Sequence, residues 1–152
     1  MKIKNFILIK FIFIFIFLIN SNEAKTEGCD TTVSSSLTSQ LECTDDDTLN
    51  VTINGSVIKT GADTIHAKSH SNVTIDNKGT ISASTNQAIN MQHAVNTTVT
   101  NSGTIEATLR NAILMDGNNA DNNTINNSGT LKAGKKQVIL ATNSENTTII
   151  NS

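Results

Sequence analysis

Tryptophan and tyrosine are absent from this 152-residue chain, and all five phenylalanines lie before residue 18. Beyond that point the only aromatic rings are the imidazoles of His66, His70 and His93. Stacking platforms for bases or sugar rings are therefore excluded. Positive charge is almost as scarce, and Arg110 is the sole arginine. Without residues 1–24 the chain keeps 8 basic against 12 acidic groups, a formal charge of −4, which leaves no electrostatic footprint for nucleic acid. No Gly-x-Ser-x-Gly elbow frames a nucleophile, and neither a Gly-x-Gly-x-x-Gly nor a phosphate loop occurs. Calcium-binding nonapeptides with paired glycines are missing as well. No apolar stripe at three- and four-residue steps extends over ten positions, so amphipathic helices are not expected.

What is present begins with a leader. Lys2, Lys4 and Lys10 precede an apolar run of nine residues, Phe11 to Ile19, and polar Asn20-Ser-Asn-Glu-Ala24 follows. That order is the order of a secretory signal peptide, whose apolar core is too short for a bilayer interior of about 30 Å. Residues 1–24 are expected to be cut away after Ala24, although Asn22 stands where a small residue is usual. An uncleaved membrane anchor is the competing reading. Cys29 and Cys43, 14 residues apart, both fall in the exported part, where one disulfide is the simplest outcome. A lipid-modified Cys29 is the alternative, and Thr26-Glu-Gly28 lacks the apolar residue that usually precedes one.

The body of the chain repeats itself. Val73-Thr-Ile-Asp-Asn-Lys-Gly-Thr-Ile81 returns as Thr97-Thr-Val-Thr-Asn-Ser-Gly-Thr-Ile105 and as Asn123-Thr-Ile-Asn-Asn-Ser-Gly-Thr-Leu131, and Thr147-Thr-Ile-Ile-Asn-Ser152 opens a further copy. Gly55, Gly79, Gly103 and Gly129 are 24, 24 and 26 residues apart. Relative to each glycine, one apolar column holds Val57, Ile81, Ile105 and Leu131, and a second holds Ile65, Ile89, Ile113 and Ile139. A third lies four positions before the glycine: Val51, Ile75, Val99 and Ile125. Each station has period two, the signature of a strand with one buried face. Three such strands per unit, with Asn-, Gly- and Ser-rich corners, describe an all-β chain: a right-handed parallel β-helix of about four coils of 24–26 residues, in which like side chains stack.

Asn77, Asn101, Asn127 and Asn151 share one column two places before the glycine. They are expected to form a structural ladder of side-chain amides up the solenoid, at a corner whose left-handed backbone asparagine tolerates. The glycines Gly55, Gly79, Gly103 and Gly129 relieve crowding at the same corner. The 26-residue interval places two extra residues within Asp116-Gly-Asn-Asn-Ala-Asp-Asn-Asn123, read as a solvated corner loop. Residues 25–50 have few apolar anchors and are expected to be an irregular N-terminal segment or cap, with residues 51–152 forming the repeats. Because the last copy breaks off at Ser152, the solenoid is expected to be incomplete.

The units Asn101-Ser-Gly-Thr-Ile-Glu-Ala107 and Asn127-Ser-Gly-Thr-Leu-Lys-Ala133, each followed by an Ala-Ile or Val-Ile station, resemble the passenger repeats of bacterial autotransporters over about residues 50–152. The resemblance implies export through the inner membrane and a β-helix displayed at the cell surface or released outside. It also implies export machinery and a translocator β-barrel as partners, together with an unknown surface ligand such as a host or matrix glycan or protein. No series of ten-residue alternating segments follows the repeats, so the resemblance stops at the passenger or the chain is truncated.

A catalytic reading competes: a polysaccharide-degrading β-helix similar to pectate lyases, which needs clustered carboxylates for calcium and a basic residue at the sugar. Asp45-Asp-Asp47 is the only carboxylate run and is expected to be a solvated acidic turn, because neighbouring strand residues point in alternate directions. Arg110 has no column of carboxylates beside it and is expected to be surface charge. His66, His70 and His93 fall in different columns, so no metal site is expected. Triplets such as Asn50-Val-Thr52, Asn72-Val-Thr74 and Asn96-Thr-Thr98 match acceptors for N-glycosylation. The abundance of Asn and Thr accounts for them, and on the bacterial reading they stay unmodified. The expectation is a display or adhesion scaffold without catalysis, cofactor or metal.

Overall fold

The computed structural model describes residues 27–152; the expected leader, residues 1–24, lies outside them. Period-two stretches become strands that pair in parallel with their equivalents one coil away, which builds three sheets. Sheet A holds Glu27–Gly28 (β1), Leu41–Glu42 (β4), Ile65–His66 (β7), Ile89–Asn90 (β10), Ile113–Asp116 (β13) and Ile139–Thr142 (β16). Sheet B holds Thr31–Val33 (β2), Thr48–Val51 (β5), Thr74–Asn77 (β8), Thr98–Asn101 (β11), Thr124–Asn127 (β14) and Thr148–Asn151 (β17). Sheet C holds Ser36–Leu37 (β3), Ser56–Lys59 (β6), Thr80–Ala83 (β9), Thr104–Ala107 (β12) and Thr130–Ala133 (β15). The chain is a β-solenoid of about five turns with three strands per coil, and no helix occurs among the described residues.

The extra turn comes from residues expected to be irregular. From Glu27 onward they wind a coil of their own: β1 pairs with β4, β2 with β5 and β3 with β6. The partners are 14, 18 and 20 residues apart (Glu27↔Leu41, Thr31↔Leu49, Ser36↔Ser56), so this coil is too short to show the 24-residue period. A disulfide joins Cys29 to Cys43 across these first two rungs, and both sulfurs lie in the core.

Inside, the columns stack residue over residue. Val57, Ile81, Ile105 and Leu131 pair in register along sheet C, and Leu37 extends the column downward. Ile65, Ile89, Ile113 and Ile139 do the same along sheet A above Leu41. From Ile65 to Ile113 and from Val57 to Ile105 these side chains are fully buried. The third column differs from the expectation at its base. Leu49, not Val51, lies under Ile75, while Val51 lies under Asn77. The cause is a two-residue bulge at Thr52-Ile53-Asn54, which keeps Gly55 in phase with Gly79 but shifts the preceding strand, and it leaves Ile53 exposed.

Asn77, Asn101 and Asn127 end strands β8, β11 and β14 with buried side chains, and none has a positive φ. The ladder is therefore internal, not a left-handed corner. Each Nδ2 donates to the Oδ1 one rung above at 2.7 Å, from Asn77 to Asn101, Asn127 and Asn151 in turn. Each also donates to the carbonyl of the glycine two residues on, at 3.1–3.4 Å, and so clamps the turn into sheet C. At the base, Asn77 Oδ1 is buried without a partner, because the residue below it is Val51. Gly103 is needed for close approach: a Cβ there would strike the carbonyl oxygen of Gly79 one rung below. Gly79 and Gly129 meet their lower neighbours in the same way.

Two stability measurements check this account. Asn101→Ala orphans the buried Asn127 Oδ1, at about 1–3 kcal/mol, and also removes the short bond from Asn77 Nδ2 and the Asn101 clamp on the Gly103 carbonyl, each worth about 0.5–1.5 kcal/mol. Urea unfolding should show a loss of about 3 kcal/mol, against less than about 1 kcal/mol for Asn151→Ala on the exposed last rung. Cys43→Ser should cost about 3 kcal/mol in the same assay, the value for a closed loop of this length.

Candidate functional surface

With aliphatic columns facing inward, the alternate positions of every strand face out. On sheet B one outward rank is threonine on every rung from β5 to β17: Thr48, Thr74, Thr98, Thr124 and Thr148. The second rank is mixed, with Asn50, Asp76, Thr100, Asn126 and Ile150, and Asp76 pairs with Lys78 at 2.8 Å. Sheet C adds a rank of Ser56, Thr80, Thr104 and Thr130. Beside it, Ser82 donates to Glu106 at 3.1 Å. These hydroxyls and amides sit about 4.8 Å apart along the solenoid, the spacing of hydrogen-bonded strands. Sequence reasoning assigned these threonines no role of their own. The signal was present in the recurrent Gly-Thr and Thr-Ile pairs, but their outward direction depends on which residues close the core.

The corner between sheets A and B collects half of the acidic groups among the described residues, Asp30, Asp45, Asp46, Asp47, Asp121 and Glu145. Asp45-Asp-Asp47 is not simply solvated. Asp45 Oδ1 accepts from the Ser71 amide at 2.9 Å and lies 3.1 Å from His70 Nδ1. Asp46 Oδ1 accepts from Asn72 Nδ2 at 2.9 Å, and Asp47 closes its own turn through the Thr44 amide at 2.7 Å. Two of the three carboxylates thus staple one coil to the next. The Ser71 amide, and then His70, hold the Asp45 carboxyl below its ordinary pKa.

Higher on this corner lies the two-residue insertion. The register moves from 24 residues at Ile89↔Ile113 to 26 at Val99↔Ile125, so the extra residues fall between β13 and β14, within the stretch Asp116–Asn123. Gly117 (φ 122°) lets the loop fold over the His93 ring, where a Cβ would collide, and His93 Nδ1 meets the Asn118 carbonyl at 3.0 Å. Above the loop is an open polar recess bordered by Asn118, Asn119, Asp121, Asn143, Ser144 and Glu145. Asp121 accepts from the Glu145 amide at 2.8 Å, and Asp116 accepts from the Thr142 hydroxyl.

The imidazoles do not converge. His66 Nδ1 lies 2.6 Å from Glu42 on sheet A, His70 pairs with Asp45, and His93 sits under the inserted loop. Among the described residues no group of three or more His, Cys, Asp or Glu side chains is placed to hold a metal ion. Arg110 is exposed between sheets C and A and forms no ion pair among the described residues. One buried carboxylate escaped sequence reasoning. Asp63, before β7, accepts from the Gln87 amide at 3.2 Å and from Asn90 Nδ2 at 2.8 Å, and so ties a corner to the next rung. Isolated within Gly61-Ala-Asp-Thr64, it carries no motif that would mark it. The apolar recess on the last rung, bordered by Leu131, Val138, Ile139 and Ile149, contains no titratable group.

Comparison of the chain with protein-family models, with curated proteins and with solved structures gives no match.

The acidic corner has a pH signature. Because the folded pKa of Asp45 is depressed, its contribution to stability is present above the ordinary carboxylate pKa and is lost as the pH falls through the folded value. NMR titration should place the Asp45 midpoint below that of an unperturbed aspartate. Asp45→Asn should flatten the fall of Tm in that acidic window while leaving Tm near neutral pH lower than in the parent. Identical acid profiles would contradict the assignment.

Proposed function

We propose that the chain is an exported, passenger-like display scaffold, whose outward hydroxyl and amide ranks bind an extended hydrophilic ligand at a cell surface or in a matrix, without catalysis. The observation that carries the reading is the contrast between the faces of the coil. Aliphatic columns and an internal amide ladder hold the solenoid rigid, while threonine repeats rung after rung on sheet B and, with serine, on sheet C. A surface of evenly spaced donors and acceptors suits a polymer with its own hydroxyl or amide repeat, such as a host or matrix glycan or an extended protein segment. Hydrogen bonds made by ordered side chains cost little further conformational entropy, which favours binding by a rigid scaffold.

The leader supports export, the resemblance to autotransporter passengers supports surface display, and the disulfide between Cys29 and Cys43 suits an oxidising compartment. The carbohydrate-active alternative would need carboxylates grouped on a strand face beside a cation. Asp45, Asp46, Asp63 and Asp121 are instead occupied in tying rungs together.

Two results decide the proposal. Surface biotinylation of intact producing cells should label the chain or find it in the medium; retention inside would overturn display. Against a panel of surface polysaccharides and matrix proteins, the triple change Thr80→Ala, Thr104→Ala and Thr130→Ala should weaken binding about tenfold or more, since each lost hydrogen bond is worth about 0.5–1.5 kcal/mol. Undiminished binding, with the fold retained by circular dichroism, would remove sheet C from the ligand surface.

A further inference from the structure

Two columns of left-handed residues climb the corner between sheets A and B, and they are filled by different rules. The first holds Ser69, His93, Gly117 and Asn143, at φ 64°, 57°, 122° and 53°. The second begins with Asp46 at φ 66° and continues with Asn72, Asn96, Asn122 and Asn146, at φ 61°, 55°, 57° and 52°. One backbone shape accepts four residue types in the first column, whereas the second has aspartate on its lowest rung and asparagine on the four above it. The conformation alone therefore does not demand asparagine.

Mutual hydrogen bonding does not demand it either. Asn72 Nδ2 reaches Asp46 at 2.9 Å and Asn96 Nδ2 reaches Asn72 at 3.3 Å, but the side-chain amides of Asn122 and Asn146 make no hydrogen bond among the described residues. All four side chains are exposed. Two residues after each stands the invariant threonine of the outer rank: Thr74, Thr98, Thr124 and Thr148. Every coil from the one containing β7 upward thus presents Asn-x-Thr at the same exposed corner. That is the acceptor pattern for N-linked glycosylation, in which the hydroxyl two residues on is required. Composition does not account for such a column. The remaining triplets, at Asn50, Asn54 and Asn126, are out of register with it, and Asn50 and Asn126 are half-buried on strands.

We propose that this column is a modification site, in which Nδ2 of Asn72, Asn96, Asn122 and Asn146 accepts a sugar from a glycosyl diphosphate donor. The bond between the anomeric carbon and the diphosphate oxygen breaks, and a bond from the anomeric carbon to Nδ2 forms. The amide gives up one proton, and the donor leaves as the diphosphate. At this corner the product costs the fold little. The modified amide keeps one N–H, its carbonyl oxygen is untouched, and the sugar projects into solvent away from the aliphatic columns. The proposal rests on register and exposure alone and is independent of the display reading.

The test uses the chain purified from the cells that make it. Tandem mass spectrometry of its glycopeptides should find sugar on the four corner asparagines and none on Asn50 or Asn126. A single sugar indicates a nucleotide-linked donor, and a preassembled oligosaccharide a polyprenyl-linked one. Thr98→Ala should abolish modification of Asn96 while sparing Asn72 and Asn122, and Thr98→Ser should restore it, with circular dichroism confirming that both variants fold. An unmodified column, equal occupancy at Asn50 and Asn126, or an Asn96 sugar that survives Thr98→Ala would each overturn the proposal.

Discussion

Parallel hydrogen bonding between successive coils is the constraint from which the rest of this structure follows. Once β8, β11 and β14 exchange backbone hydrogen bonds in register, every residue lies directly over its counterpart, about 4.8 Å away. Side chains cannot then be chosen independently. An isoleucine inside requires an aliphatic neighbour above and below, and Gly79, Gly103 and Gly129 must be glycine because the carbonyl oxygen of the glycine one rung below occupies the space that a Cβ would need. A sequence repeat is the record of that requirement. Length changes at corners, as the two-residue additions at Thr52-Ile53-Asn54 and in the loop after β13 show.

The same stacking governs the polar groups. A buried amide in a solenoid has one neighbour above and one below, so it can be satisfied only if both are matched to it. Asn101 meets the condition, accepting from Asn77 and donating to Asn127. Asn77 does not, since the register brings Val51 beneath it, and its orphaned oxygen marks where the ladder begins. At the outer corner, carboxylates replace the amides in the lower coils, and the burden of joining rungs passes to charge-assisted bonds such as those of Asp45. Stability is therefore distributed, with each interface between rungs held by its own small set of polar clamps over a narrow aliphatic core.

Such a framework separates the interior from the exterior more completely than a globular core does. Inward columns are fixed by packing, whereas outward ranks are under no packing constraint, so any regularity there calls for a separate cause. Threonine on sheet B has a partial structural cause in its preference for strands. Asparagine at the exposed left-handed corner is favoured by its backbone but not required by it, since the adjacent column adopts the same conformation with serine, histidine, glycine and asparagine. Outward regularity of this kind is the part of a solenoid in which ligand binding or covalent modification can be written without disturbing the fold.

Much of this was legible in the chain. The 24-residue interval, the period-two stations and the isoleucine columns at Ile81, Ile89, Ile105 and Ile113 specified strands, their inward faces and their stacking, because these depend on local alternation and on a repeat. The site of the two-residue insertion could be read in the same way. Three features could not. The coil of residues 27–40 is too short for its period to register, and it takes shape only against the rung above. The offset of Val51 under Asn77 depends on how the bulge at Ile53 is absorbed. Whether an asparagine points inward or stands at a left-handed corner depends on where the coil closes, a closure set by hydrogen bonds between residues some 24 positions apart. Local sequence dictated alternation and period; only the assembled rungs decided direction, since a side chain has an inside to face only after the neighbouring coils are in place.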